Sequence, residues 1–206
     1  MTQRDSWILV FVAAILAVCG GYWLARELDS SGPQLATGTW LPRPREIGDF
    51  RLIDGHEQPF TLQQLEGRPT LVFFGFTHCP DVCPTTLAAL AQLKKRASVA
   101  ALQVVVVSVD PARDTAPVLA RYVHAFDPTF IGLTGDPGSI QALTRRFGIA
   151  VSRVDLPGGD YTMDHSAAVF LLDTHARIVA VFTPPFDVPR FAQDLRAAAP
   201  HLAASS

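Results

Sequence analysis

An α/β domain with an N-terminal β-hairpin and a parallel crossover, preceded by a single transmembrane helix, is the fold class the sequence predicts. Three observations predict it. Trp7 to Ala25 contains no charged residue, and at about 1.5 Å per helical residue such a stretch crosses a hydrocarbon core of about 30 Å. Two apolar runs, Thr70 to Phe76 and Gln103 to Val109, have strand composition, and the unbroken valines Val104 to Val107 in the second imply burial on both faces of a sheet. Between them, Pro84-Thr85-Thr86 precedes Leu87, Leu90 and Leu93 at helical spacing, so strand, helix and strand form a right-handed parallel unit.

Taken in order, residues 1–6 form a short tail and 7–25 the anchor. The length of the apolar stretch and the Tyr22-Trp23 pair near its far end favour a retained helix over a cleaved signal. Cys19 reads as an apolar membrane residue. Ser30-Ser31-Gly32-Pro33, Thr37-Gly38-Thr39 and Pro42-Arg43-Pro44 give 26–47 the composition of an extended linker, and the folded domain is expected over 48–198. It opens with a hairpin around Asp54-Gly55-His56-Glu57, which makes His56 a solvated turn residue. After the crossover, helices are expected from about Ala116 to Ala125, with Asp114 or Thr115 as N-cap, and from about Pro137 to Phe147. Ile149 to Val154 and Tyr161 to Met163 suggest a second hairpin or flap. Ser166 to Leu172 and Arg177 to Phe182 read as strands, Val188 to Ala198 as an amphipathic helix and 199–206 as a tail.

Charge excludes one broad class. Lys and Arg number 17 against 19 Asp and Glu, so the chain has no basic field for nucleic acid. Of three cysteines, only Cys79 and Cys83 lie outside the apolar N-terminal stretch. One close-spaced pair in a domain of this size points to reactivity or metal binding rather than structural stapling.

Cys79 and Cys83, spaced C-x3-C between Pro80 and Pro84, sit on the predicted strand-to-helix turn. Within one helical turn, i and i+4 share a face and can chelate one ion or pair with local adjustment. The helix N-terminus favours thiolate over thiol, and two thiolates select Cu(I) or Zn(II) over hard ions. Topology selects His165 as the third donor: it precedes a strand that, run antiparallel to the cysteine strand, starts at that strand's finishing end. His175 falls at the opposite end, His124 on a helix and His201 in the tail, while His78 points away as a structural residue. Asp164 either orients the His165 imidazole or caps a turn, Met163 belongs to core or flap, Asp81 tunes the local charge or holds the turn, and Arg113 makes a salt bridge or loop contact.

These motifs resemble the Sco/SenC family of membrane-anchored copper proteins with a thioredoxin-like fold. The resemblance rests on Phe74-Gly75-Phe76-Thr77-His78-Cys79-Pro80-Asp81-Val82-Cys83-Pro84, Val107-Ser108-Val109-Asp110-Pro111-Ala112-Arg113-Asp114-Thr115, Phe130-Ile131-Gly132-Leu133-Thr134-Gly135 and Asp164-His165-Ser166. It implies that Cys79, Cys83 and His165 bind copper, as Cu(I) or Cu(II), and that the protein assists assembly of the dinuclear copper centre of cytochrome c oxidase subunit II. It also implies a bacterial inner-membrane location with the soluble domain in the periplasm, and partners among other copper chaperones and thiol reductants. A thiol-disulfide oxidoreductase acting on the target's copper-ligand cysteines would use the same pair, although such enzymes commonly carry C-x-x-C and need no histidine. A peroxidase reading is weaker, because Thr77-His78-Cys79 is T-x-C rather than T-x-x-C.

Overall fold

The computed structural model describes residues 14–22, 32–97, 99 and 101–203. Contacts divide the chain at Gly32/Pro33. In the first unit, residues 14–22 are helical. The predicted span from Trp7 to Ala25 otherwise lies outside the described residues, among which no helix is long and apolar enough to cross a membrane.

The second unit runs through β1 (Gly38–Glu46), β2 (Arg51–Ile53), β3 (Pro59–Thr61), β4 (Thr70–Gly75), α1 (Val82–Ala97), β5 (Gln103–Ser108), α2 (Ala116–His124), β6 (Ile131–Leu133), α3 (Pro137–Phe147), β7 (Val151–Asp155), β8 (Tyr161–His165), β9 (Val169–Leu172), β10 (Arg177–Phe182) and α4 (Val188–Ala198). Six strands form one sheet in the order β1-β10-β9-β4-β5-β6. β4, β5 and β6 are parallel and the other pairings antiparallel. Every residue of β4 and β5 is buried, as continuous apolar runs in a covered sheet require. Alternation sends Phe74 to one face, where its ring meets Phe147 of α3 at 5.0 Å, and Phe73 to the other, beside His165.

Both predicted hairpins are present, β2 with β3 and β7 with β8, each as its own two-stranded sheet. His56 is an exposed turn residue whose N–H donates to the Asp54 carboxylate. The stretch expected as linker is partly a strand of the main sheet. β1 pairs with β10 from Gly38↔Phe182 to Glu46↔Arg177, with the register shifting between Trp40 and Arg45. Pro42 and Pro44 lie in that shift. Proline lacks an N–H, so it is tolerated on an edge strand where the ladder is already broken, and this disguises the segment as a tether. Ile47, 1% exposed, is core.

Three further differences are local. β6 is a strand that the sequence does not signal, since three residues around Gly132 carry no periodic pattern. α1 begins at Val82, so Pro84 lies inside the first turn, where its missing N–H costs no helical bond. Only Val169–Leu172 of the expected Ser166 to Leu172 strand joins the sheet. Of the two expected caps, Thr115 is the α2 N-cap, without a side-chain capping bond, while Asp114 bonds Thr77 and Ser108 instead.

Candidate metal centre

The site lies at the carboxyl end of β4, where parallel α/β sheets present their loops. Gly75 ends the strand because nothing larger fits: a Cβ there would stand 2.7 Å from the Phe73 ring and 3.1 Å from Cys83 Sγ. The chain then turns through Phe76 to Cys79, whose N–H donates to the Phe76 carbonyl at 3.4 Å. Cys79 precedes α1 and is half-buried, whereas Cys83 is in its first turn and 0% exposed. The two sulfurs therefore approach from loop and helix, not from one helical face. The Cys83 N–H donates to Cys79 Sγ at 3.3 Å, and both cysteines are free.

His165 is the last residue of β8 rather than the start of the next main-sheet strand, yet it reaches the expected place. Its Nε2 is 3.6 Å from Cys83 Sγ, and its ring sits edge-on to Phe76 and Phe73 at 5.8 and 6.3 Å between centroids. Nδ1 lies 3.0 Å from the Ser166 carbonyl. A carbonyl only accepts, so Nδ1 carries the proton and the Nε2 lone pair faces the sulfurs. Burial holds the imidazole below its ordinary pKa, against the opposing pull of the Ser166 carbonyl and the Asp164 charge. One donor atom from each of Cys79, Cys83 and His165 lies within 4.8 Å of the others. Two soft sulfurs and a neutral imidazole nitrogen suit a soft or borderline metal ion such as copper or zinc.

A family model described as SCO1/SenC matches residues 40–200. The chain belongs to the SCO1/SenC family. The SCO2-like protein of Rickettsia felis is 32% identical over 186 residues, covering 87% of this chain and 91% of that one. Among solved structures, Arabidopsis thaliana ScoI with copper bound shares 32% identity with a TM-score of 0.72, over 75% of this chain and 98% of that one. Bradyrhizobium japonicum ScoI with copper bound shares 36% identity with a TM-score of 0.66, over 76% and 98%. The SCO1/SenC domain here has the thioredoxin-like α/β fold of those structures.

In this SCO1/SenC chain the helix N-terminus does not hold Cys83 as a thiolate. Burial, reinforced by the hydrogen bond with Cys79, pushes its pKa far above the ordinary thiol value, and the backbone bond at Phe76 opposes this only in part. Desolvation outweighs the dipole because the sulfur is fully enclosed. A metal ion entering the site must therefore displace a proton from Cys83. A cavity of about 220 Å³ adjoins the site on the Cys79 side, lined by Cys79, Pro80, Asp81, Met163, Asp164 and His165 among others. A larger cavity of about 270 Å³, between Val109, Pro111 and the start of α3, has neither thiol nor histidine in its wall.

The remaining singled-out residues take structural places. Asp164 is exposed, and the Ser166 carbonyl, not Asp164, orients the imidazole. Met163 packs against the core and lines the cavity. Asp81 accepts the Thr85 N–H through its backbone carbonyl at 3.2 Å, a turn role. His78 is exposed and meets the Thr77 hydroxyl; His124, His175 and His201 are exposed and away from the sulfurs. Arg113 ion-pairs with Asp110 and Asp160.

Two residues escaped the sequence reading. Asp114, 0% exposed, accepts from the Thr77 N–H at 3.0 Å, from the Thr77 hydroxyl and from Ser108 Oγ at 2.7 Å, holding the turn two residues before Cys79. Tyr122 of α2 has a buried hydroxyl without a hydrogen-bond partner. Burial first, and then negative charge nearby such as that of Asp114, raise its pKa to about 12. In the sequence Asp114 offers itself as a helix cap, and Tyr122 carries no motif.

Proposed function

We propose that the protein is a membrane-anchored copper chaperone that binds copper through Cys79, Cys83 and His165 and assists assembly of the dinuclear copper centre of cytochrome c oxidase subunit II. The convergence of two free thiols and the Nε2 lone pair on one point carries this reading, and copper-bound relatives with the same fold support it. Copper is cargo in this scheme. Soft thiolates hold Cu(I), and the imidazole adds the borderline nitrogen that Cu(II) favours. Because binding displaces the Cys83 proton, affinity rises with pH. Only the dithiol offers both sulfurs, so oxidation of the pair would shut the site. The anchor is the apolar segment from Trp7 to Ala25, which would hold the domain in the periplasm of a bacterium, with other copper chaperones and thiol reductants as partners.

A second reading is favoured by one observation. Cys79 opens to the cavity while Cys83 lies buried behind it, the arrangement of an attacking and a resolving thiol in an oxidoreductase that reduces the target's copper-ligand cysteines. The two separate in a deletion strain supplied with variants and assayed for cytochrome c oxidase assembly. Copper delivery predicts that Cys79→Ser and His165→Ala both fail to restore the oxidase. Full rescue by His165→Ala with none by Cys79→Ser would replace delivery by thiol chemistry.

A further inference from the structure

The three donors come from two bodies that no common ladder joins. Cys79 and Cys83 belong to the turn and helix after β4, whereas His165 ends a hairpin whose strands pair only with each other. A lone two-stranded hairpin is marginal in water, so something else must set where β8 lies. Among the described residues, and apart from the bond of His165 to the adjoining Ser166 carbonyl, the hydrogen bonds and ion pairs from the hairpin to the rest of the domain end on Asp110, Arg113 and Cys83. Arg113 Nη1 donates to the Tyr161 carbonyl at 3.0 Å and to the Asp160 carboxylate at 3.3 Å. Its guanidinium stacks 3.7 Å from the centre of the Tyr161 ring, while Arg153 covers the ring at 3.9 Å. The Tyr161 hydroxyl donates to Asp110 Oδ1 at 2.9 Å, and Asp110 Oδ2 accepts from Arg113 Nε. Asp110 is 3% exposed, so the bonds that end on it are partly shielded from water, whereas the Asp160 carboxylate is exposed.

The same loop braces the other half of the site. Asp114, one residue beyond Arg113, holds Thr77 ahead of Cys79. Tyr161 and His165 are four residues apart on one strand and so share a face. Displacing Tyr161 therefore displaces the imidazole, whereas the sulfurs stay fixed by Gly75, α1 and Asp114. We infer that the Asp110–Asp114 loop is the positioning device of the metal centre: Asp110 and Arg113, through Tyr161, set the imidazole against the dithiol and so determine whether copper meets three donors or two.

This inference rests on the copper reading and makes a graded prediction. The dithiol alone can hold Cu(I), so loosening the clamp should affect Cu(II) most. In the full chain, Arg113→Gln and the milder Tyr161→Phe, which keeps the ring but loses the bond to Asp110, should each weaken Cu(II) binding by about 10- to 100-fold. The Cu(II)–thiolate absorption band should shift toward that of His165→Ala, and one Cu(I) should still bind per chain. In the His165→Ala background the same substitutions should cost nothing further, because a residue acting through His165 has no imidazole left to position. Wild-type Cu(II) affinity and spectrum in both variants would overturn the clamp, as would an equal loss in the His165→Ala background. A wild type indistinguishable from His165→Ala would instead overturn the three-donor reading itself, and the clamp with it.

Discussion

Cys83 and His165 face each other as neutral groups, and the cause is burial in both cases. Taking charge out of water raises a thiol's pKa and lowers an imidazole's, which is the direction each takes here. For His165 the sign has a consequence for stability. Its pKa is lower folded than unfolded, so its contribution is fully present above the ordinary value near 6.5 and is lost as pH falls through the folded pKa, where the unfolded chain holds the extra proton. The metal-free protein should show a urea midpoint that declines from pH 7 to pH 5, and His165→Gln, which cannot titrate, should decline less. Parallel declines would mean that His165 is not held neutral by burial. Both thiols were legible in the sequence, as was His165. The protonation of Cys83 was not, because spacing and helix position report the dipole but not how completely the sulfur is enclosed.

At the scale of elements, strand order made the site readable: an antiparallel strand following the crossover returns to the end where the cysteines lie, and β9 does pair antiparallel with β4. The actual route differs, since His165 arrives on the hairpin and Ser166 to Ala168 carry the chain into β9. β1 was hidden for a different reason. Its prolines and charges mimic a linker, and what makes it a strand is tertiary: the free edge of β10, and Asp194, which accepts from Ala36 N, Thr37 N and the Thr37 hydroxyl. A chain beginning at Gly48 should therefore be less stable than one beginning at Pro33, by at least about 2 kcal/mol, the worth of burying a side chain such as Ile47. It should also self-associate through the bared β10 edge. Equal urea midpoints and a monomeric short form would show that β1 is dispensable.

Across the whole domain, the pieces of the site gather at one end of the sheet. The β4 turn brings the sulfurs, the loop after β5 brings Asp110 to Asp114, and the hairpin before β9 brings the imidazole. β1 enters at this end too, since Gly38 pairs with Phe182 and Phe182 with Val169. Side chains supply the chemistry, but on the inference above their meeting depends on contacts of Tyr161 with Asp110 and Arg113, which lie 51 and 48 residues before it and are linked to it by no periodicity, which is why the donors could be named from the chain and their support could not. X-ray absorption at the copper edge tests the central claim most directly. On the copper-loaded protein the account predicts two sulfur ligands and one imidazole nitrogen, with only the nitrogen lost in His165→Ala. A wild-type spectrum without nitrogen, or one that His165→Ala leaves unchanged, would contradict it.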